Sequence, residues 1–338
     1  MRVAIFNGPG RIEIEDRPDD PLGPTEVRIE VARCGICGSD VSMTAGSAFD
    51  FAHGRAFGHE PAGTVIELGC EVTQLKLGDR VAVLPRGYCG ACTACRAGRP
   101  LFCETGPAHF GGFGERMVIS QQCGFRLPDS CSHAEGALVE PIACGRKALR
   151  MARLKPGESV LVLGAGSMGL ASIYWARRLG AGSVVVATRS PSRHETALAA
   201  GADEAIVLET GHESEQVATL LPGGADIVVE AIGKPGQLLR ASGFVRPLGR
   251  VVSLGMCLVD DPVVPALQAF GETTFHFPLG YSTEDFTETL RAFDADRLRP
   301  ELMVSKVAPL SALARLIEEM RSSANPHHKV QIAPNMAV

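Results

Sequence analysis

Short apolar runs of strand length occupy the first part of the chain. Glycine and proline separate these runs over about 130 residues, a spacing typical of a β-rich lobe. The pattern predicts strands at residues 2–6, 26–32, 63–68 and 80–84. We therefore expect a strand-rich unit in the first part of the chain.

From Val160 onward, apolar strands alternate with amphipathic helices. Such alternation indicates βαβ units and hence a parallel sheet. The predicted strands are residues 160–163, 184–187, 227–230 and 251–254, and the predicted helices are residues 168–179 and 192–200. Two more helical patterns, 283–293 and 310–320, precede a last strand at 329–332. The sequence thus predicts an α/β protein in which a doubly wound parallel sheet follows a β-rich lobe.

The length of 338 residues favours two domains, because single domains usually have about 100–200 residues. We expect the first domain over residues 1–145 and the second over residues 146–279. The segment 280–338 is too short for an independent domain, and we expect it to complete the first one.

Composition narrows the class of protein without naming a reaction. Hydrophobic residues make up 45% and charged residues 21%, and no apolar run approaches the roughly 18 residues that span a membrane. The first apolar run ends at Asn7, too early for a signal peptide. The net charge is -5 without runs of like charge, which gives no reason to expect nucleic acid or an anionic membrane as partner. We expect a cytoplasmic protein that acts on a small molecule.

A glycine-rich turn follows the predicted strand 160–163. Its pattern is G-x-G-x-x-G, and a helical segment comes next. Gly164 permits the tight turn, Gly166 lets a pyrophosphate approach the backbone, and Gly169 lets the helix pack closely on the strand. The strand-turn-helix context therefore predicts a dinucleotide site formed by Gly164, Gly166, Ser167, Met168 and Gly169.

The end of the next strand indicates which dinucleotide is bound. An Asp or Glu at this position would bind the ribose hydroxyls of NAD. This chain has Thr188, Arg189 and Ser190 instead, and a guanidinium can pair with a 2′-phosphate. We predict NADP(H) in preference to NAD(H). The alternative is that Arg189 is solvated and the protein does not discriminate.

Four of the eleven cysteines lie within one short segment. In a reducing compartment such clustering indicates metal ligation rather than disulfides. Four thiolates complete a tetrahedral zinc site and leave no position for a substrate, so we predict a structural zinc. An iron–sulfur cluster or free core cysteines are the alternatives. The predicted ligands are Cys89, Cys92, Cys95 and Cys103.

A second set of metal-ligand residue types comes from three separate segments. Cys37 precedes Gly38-Ser39-Asp40, His59 is followed by Glu60, and Glu140 is followed by Pro141. A thiolate, an imidazole and a carboxylate form an incomplete set, as a zinc that keeps a position open for substrate requires. We predict a second, catalytic zinc.

These motifs, in this order, resemble the zinc-dependent medium-chain dehydrogenase/reductase family. The Glu140-Pro141 segment is similar to that of the sorbitol and threonine dehydrogenase branch. The resemblance implies a GroES-like catalytic domain, a Rossmann coenzyme domain, and hydride transfer between a secondary alcohol and NAD(P). It also implies two zinc ions per chain, a homodimer or homotetramer, and a polyol, cyclitol or amino sugar ahead of simple alcohols.

The resemblance also implies roles for single residues. Cys37, His59 and either Glu60 or Glu140 would hold the catalytic zinc, and Asp40 would orient the His59 ring. Ser39 would bind the substrate oxygen. Many family members have a histidine proton relay where this chain has Ser42, so Ser39 or His53 would take over that step. Side chains that could line the substrate site are Phe49, Phe51, Arg55, His109 and Phe110.

Two other functions compete with this hypothesis. One is a zinc-independent NADPH-dependent quinone or enoyl reductase on the same scaffold, and the other is a non-catalytic nucleotide-binding protein. Neither would need the open set of Cys37, His59 and carboxylate, so the sequence favours the zinc-dependent dehydrogenase.

Overall fold

The computed structural model describes residues 1–46, 51–295, 300–322 and 325–337. The chain folds into two compact units, one formed by Met1–Glu140 with Tyr281–Val338 and the other by Pro141–Gly280. The domain limits of 145 and 279 given above stay a prediction. Among the described residues, none of the helices has both the length and the apolar surface that crossing a membrane requires.

The first unit is built on strands. They are β1 (Arg2–Phe6), β2 (Ile12–Asp16), β3 (Glu26–Gly35), β4 (Arg55–Ala56), β5 (Glu60–Leu68), β6 (Arg80–Val83), β7 (Arg116–Ser120) and β8 (Gly124–Arg126). The short helices among them are α1 (Gly38–Thr44), α2 (Thr93–Arg96) and α3 (His133–Gly136). Strands β2, β1 and β4 form a small sheet in that order.

Strand β3 is the centre of the larger sheet of this unit. Its alternate residues Val27, Ile29 and Val31 are fully buried, as expected for a strand with one face on the core. It pairs antiparallel with β5, and this register sets Gly35 opposite Glu60. Because Cys37 and His59 each lie within two residues of this pair, the register brings the two predicted metal-binding segments together.

The second unit has a parallel sheet with the strand order β11-β10-β9-β12-β13-β14. Helix α4 (Val139–Met151) leads into it. The strands are β9 (Ser159–Leu163), β10 (Ser183–Thr188), β11 (Glu204–Val207), β12 (Ala225–Glu230), β13 (Val245–Ser253) and β14 (Thr274–His276). The helices are α5 (Ser167–Arg178), α6 (His194–Ala199), α7 (Glu213–Leu220), α8 (Gln237–Ser242) and α9 (Pro265–Gly271). The central strands are apolar and buried, as in sheets covered on both faces.

The last segment returns to the first unit. It contains α10 (Thr283–Ala295), β15 (Val304–Pro309), α11 (Leu313–Arg321) and β16 (Lys329–Ala333). Strand β16 lies between β15 and β3 and is buried along its whole length. Its pairing places Gln331 opposite Gly35, so the last strand reaches the same place as β5.

Candidate functional site

Cys37, His59 and Glu60 form a compact group of metal-ligand types. One donor atom from each lies within 4.8 Å of the others. Cys37 is the residue before α1, and Glu60 opens β5. The predicted thiolate and imidazole are therefore brought together, and the neighbouring carboxylate is Glu60.

Asp40 connects the thiolate segment to the imidazole. It lies in the first turn of α1, where Oδ2 accepts a hydrogen bond of 2.9 Å from the Cys37 backbone N–H. Its Oδ1 is 3.4 Å from His59 Nδ1. Burial lowers the pKa of His59, but the charges and hydrogen bonds of Asp40 and Cys37 together outweigh burial and raise that pKa well above 6.5. With Nδ1 facing Asp40, Nε2 is the nitrogen that could bind a metal.

Lys329 forms a buried ion pair with Glu60, and sequence reasoning missed it. Its Nζ lies 2.7 Å from both carboxylate oxygens and 3.2 Å from the Ile36 carbonyl oxygen. The side chains are 2% and 0% exposed. Gly35 makes room for the carboxylate, because a Cβ there would lie 1.8 Å from Glu60 Oε2. Burial lowers the pKa of Lys329, but the charge and hydrogen bond of Glu60, together with the charges of Cys37 and Glu140, outweigh burial and raise it.

Glu140 stands beside this group rather than within it. It is not among the three residues whose donors converge, but its charge interacts with the charges of His59, Glu60 and Lys329. Desolvation, with a smaller contribution from the Glu60 charge, raises the pKa of Glu140 to about 7. The charges of His59 and Lys329 and a hydrogen bond with Tyr281 partly offset this rise. The site therefore contains two carboxylates in different environments.

An aromatic cluster adjoins His59. The ring of Phe110, which is 44% exposed, lies edge-to-face with His59 at 6.3 Å and with Phe51 at 5.8 Å. Of the other side chains predicted to line a substrate site, His109 is buried, Arg55 is exposed on β4, and Phe49 lies outside the described residues.

The two residues considered for proton transfer lie in different places. Ser39 is half-buried in the first turn of α1, and in the sequence it lies between Cys37 and Asp40. His53 instead packs edge-to-face on Phe6, with 5.6 Å between ring centroids.

The four clustered cysteines bring their sulfurs together. All four Sγ atoms lie within 4.8 Å of one another. The backbone N–H of Cys89 donates to Cys103 Sγ at 3.2 Å, and that of Cys92 donates to Cys89 Sγ at 3.3 Å. Desolvation raises the pKa of Cys103, but the backbone N–H donors of Cys89 and Thr105, together with hydrogen bonds from the Cys95 and Cys89 thiols, outweigh it and lower that pKa to about 6. Convergent sulfurs with N–H donors fit a zinc tetrathiolate.

The glycine turn of the second unit has the shape that a dinucleotide needs. Gly164 has φ +97°, and a Cβ on Gly169 would lie 1.9 Å from the Gly164 carbonyl oxygen. A Cβ on Gly166 would meet only Arg193 Nη1, at 3.7 Å. The backbone before α5 is therefore open to a ligand, and the first N–H groups of a 12-residue helix can bind phosphate.

Arg193 is a second guanidinium at the end of β10, and sequence reasoning missed it. Its Nη1 donates to the Ala165 carbonyl oxygen at 3.3 Å, which places it against the glycine turn. Burial, and then the charge of Arg189, lower its pKa. The Thr188 hydroxyl is engaged locally with the Ser190 carbonyl oxygen at 2.8 Å and His194 Nε2 at 2.9 Å. This segment therefore carries two guanidinium groups, Arg189 and Arg193, and a guanidinium can pair with a phosphate.

Comparison with known proteins identifies the class to which this protein belongs. Residues 23–129 match the family described as Alcohol dehydrogenase GroES-like domain, and residues 167–295 match that described as Zinc-binding dehydrogenase. The chain belongs to the zinc-dependent medium-chain dehydrogenase/reductase family, in its sorbitol dehydrogenase-like branch.

The relatives support this branch. Sorbitol dehydrogenase from Bacillus subtilis is 34% identical over 265 residues, covering 76% of this chain and 75% of the relative. L-galactonate-5-dehydrogenase from Escherichia coli is 31% identical over 325 residues, covering 94% of both. Among solved structures, 2R,3R-butanediol dehydrogenase from Bacillus subtilis has a TM-score of 0.89 at 27% identity, covering 99% of both chains. A zinc-binding dehydrogenase structure from Sinorhizobium meliloti, bound to NADP, has a TM-score of 0.90 at 26% identity, covering 98% and 99%.

These findings confirm several predictions. The fold combines a GroES-like part with a Rossmann-type parallel sheet, and the protein is a zinc-dependent alcohol or polyol dehydrogenase that uses a nicotinamide cofactor. Its substrates are small-molecule alcohols.

Proposed function

We propose that the protein transfers a hydride between a secondary hydroxyl of a polyol, cyclitol or amino sugar and NADP(H), in preference to NAD(H). The observation that carries this proposal is the convergence of Cys37, His59 and Glu60 beside a second carboxylate, Glu140. A mixed set of three protein donors suits a zinc that keeps a position for substrate.

Cys37, His59 and Glu60 are proposed as the ligands of the catalytic zinc. The convergence of their donors favours Glu60 over Glu140 as the carboxylate ligand. Lys329 supports this role, because a ligating carboxylate needs an outer partner that fixes its orientation. Glu140, whose charge interacts with those of His59 and Glu60, is proposed to lie near the substrate oxygen.

A zinc ion held by Cys37, His59 and Glu60 would supply Lewis-acid chemistry that makes the alcohol proton easier to remove. The protein's own residues prepare for that step. Asp40 holds His59 Nδ1, so that Nε2 stays directed at the metal. Ser39, in the first turn of α1, is proposed to relay the hydroxyl proton: its oxygen takes the substrate proton as its own hydroxyl proton passes to water.

The cofactor is proposed to bind on the glycine turn of the second unit. Gly164, Gly166 and Gly169 shape the backbone, and the N–H groups of Ser167 and Met168 at the start of α5 bind the pyrophosphate. Arg189 and Arg193 pair with the 2′-phosphate of NADP, with Ser190 beside them.

The compounds on which the relatives act favour a polyol-like substrate for this protein. The relatives include dehydrogenases of sorbitol, L-galactonate and 2R,3R-butanediol, each of which carries adjacent hydroxyl or acid groups. The exposed ring of Phe110 beside His59 offers an apolar face against which the C–H side of such a molecule can pack.

Cys89, Cys92, Cys95 and Cys103 are proposed to hold a second, structural zinc. The donor N–H groups on their sulfurs stabilise thiolates, and four thiolates leave no position for substrate. This zinc would fix the segment between Tyr88 and Thr105, where the described helices have only three or four residues.

The test compares two cysteine variants in one assay. Wild-type protein is expected to contain about two zinc ions per chain and to oxidise members of a polyol panel. Cys37→Ala should lose one zinc and reduce turnover at least 1,000-fold, roughly the scale of losing a group that acts only in the transition state. Cys103→Ser should also lose one zinc, but should keep most of its turnover at low temperature. Full activity in zinc-replete Cys37→Ala would refute the proposed metal site.

We also propose that two copies of the chain pair through the edge of the parallel sheet. Strand β14 is an edge strand, and large apolar side chains are exposed along the segment that contains it. The exposed residues are Met256, Val259, Val264, Leu267, Phe270, Phe277 and Leu279. A two-fold axis sets two identical edge strands antiparallel, so a second copy of β14 can continue the sheet and cover this surface.

A further inference from the structure

Glu230 is a buried carboxylate at the end of the central strand β12. Only 1% of the surface of Glu230 is exposed to solvent. Among the described residues no cation forms an ion pair with it, and Oε1 instead accepts hydrogen bonds from the N–H groups of Ile232 at 2.6 Å and Gly233 at 2.7 Å. Burial raises the pKa of Glu230, and these two donors partly offset the effect. Burying this carboxylate costs free energy, and the hydrogen bonds that it accepts hold the turn that follows β12.

The same residue joins this turn to the next strand. The N–H groups of Leu254 and Gly255 both donate to the Glu230 carbonyl oxygen at 2.8 Å. A Cβ on Gly255 would lie 2.2 Å from Gly233 N and 2.8 Å from Glu230 Oε2, so the two segments touch through their backbones. Glu230 therefore fixes the carboxyl ends of β12 and β13 relative to each other.

The turn held by Glu230 borders the glycine turn. The Ala231 N–H donates to the Leu163 carbonyl oxygen at 3.0 Å, directly before Gly164. A Cβ on Gly164 would lie 3.0 Å from Ile232 Cγ1, and Ile232 is 36% exposed. Ligands of open parallel sheets bind outside the carboxyl ends of the strands, which is where Ile232 lies.

We propose that Glu230 is a positioning residue of the cofactor site, which holds residues 231–233 so that Ile232 forms an apolar wall beside the glycine turn. This inference rests on the proposed binding of the dinucleotide at that turn. Glu230 does not contact the cofactor itself but holds the residues that do. Ile232 contacts the part of the dinucleotide that NADPH and NADH share, so both cofactors should be affected. The carboxylate acts by accepting two N–H hydrogen bonds, and its negative charge is not needed for this role.

The test measures dissociation constants of NADPH and NADH by cofactor fluorescence. Glu230→Met should weaken both at least tenfold, because it removes the acceptor and frees the turn. Glu230→Gln should stay within threefold of wild type, because its amide oxygen can accept the same two N–H groups. Ile232→Gly should weaken both cofactors without touching the carboxylate, which keeps the test decisive if Glu230→Met does not fold.

Asp226 supplies a matched control in the same strand. It lies near the amino end of β12 and accepts hydrogen bonds from the Ser159 N–H and hydroxyl, each at 2.8 Å. Asp226→Asn should lower thermal stability and leave both dissociation constants within twofold of wild type. Hydrogen exchange should speed up in residues 231–236 of Glu230→Met but not of Asp226→Asn.

Two results would overturn the inference. One is wild-type affinity for both cofactors in folded Glu230→Met or Ile232→Gly. The other is an equal loss of affinity in Asp226→Asn, which would make the effect one of global stability. Failure of the proposed function would look different, because wild-type protein would then bind neither cofactor.

Discussion

Arg189 and Arg193 provide the residue-scale test of cofactor choice. Arg189→Ala and Arg193→Ala should each weaken NADPH binding about 10- to 100-fold, because a hydrogen bond to a charged group contributes about 1.5–3 kcal/mol. NADH binding should change little. Initial rates at equal, low concentrations of the two cofactors measure the preference.

The exposed ion pair of Arg177 with Asp203, at 3.1 Å, provides the control, since Arg177 lies at the far end of α5 from the glycine turn. Arg177→Ala should leave the preference unchanged. A tenfold preference of the wild-type enzyme for NADH would contradict the proposed use of NADP(H).

Lys329 is expected to matter for stability as well as for the metal centre. Replacing it with Met would leave Glu60 buried and unpaired, at a cost of about 3–5 kcal/mol in the free energy of unfolding. The double variant Lys329→Met with Glu60→Gln should recover a large part of that loss. Denaturant unfolding of the zinc-free protein measures the free energy of unfolding of both variants. An unchanged midpoint in Lys329→Met would show that the ion pair does not stabilise the fold.

Some residues of the site could be found from the sequence and others could not. Cys37, Asp40 and His59 lie in short motifs whose spacing indicates a metal. Lys329 contacts Glu60 across 269 positions, and only the pairing of β16 with β3 brings it there. A lysine opening an apolar strand was the one signal of its burial. Arg193 also escaped notice, because a turn and the start of α6 separate it from Arg189.

At the scale of elements, long periodic segments were easier to predict than short ones. The apolar strands β9, β10 and β12 match the predicted ranges closely. Seven shorter strands were missed, since two to six residues with mixed burial carry little pattern. They are β2, β4, β7, β8, β11, β14 and β15. The helix predicted at 310–320 begins as a 3-10 turn, Leu310–Ala312, and becomes α11 at Leu313.

The edge formed by α9 and β14 carries the prediction at this scale. Phe270 is 88% exposed and Phe277 61% exposed, and lysine at both positions would place charge on the proposed contact between two copies. Light scattering after size exclusion should show wild-type protein as a dimer or larger, and the double variant shifted towards monomer. Leu302→Lys, which changes a side chain also 61% exposed but in the other unit, is the matched control. A monomeric wild-type protein would contradict the proposal.

At the scale of the whole molecule, buried histidines make stability depend on pH. His109 is 5% exposed, and its Nε2 accepts a hydrogen bond from the Ser120 N–H at 3.4 Å. Burial lowers the pKa of His109 below its ordinary 6.5. The unfolded chain therefore takes up a proton that the folded protein does not, so the contribution is complete above pH 6.5 and is lost as the pH falls below it.

This sign gives a measurable prediction. Between pH 7.5 and 5.5, the thermal midpoint of wild-type protein should fall more steeply than that of His109→Gln, which cannot titrate at this position. Other titrating groups, such as His133 and His276, are common to both proteins and cancel in the comparison. Parallel curves for the two proteins would show that His109 does not contribute.

The position of β16 also affects the order in which the protein can mature. Cys37 and His59 leave the ribosome early, but Glu60 receives its lysine partner only when the last strand has been made and has inserted beside β3. Until then, the carboxylate would be held in water or would bind whatever cation is present. Correct loading of the catalytic metal is therefore expected to follow completion of the chain, whereas the four cysteines of the other site, close together in sequence, could acquire their ion during synthesis.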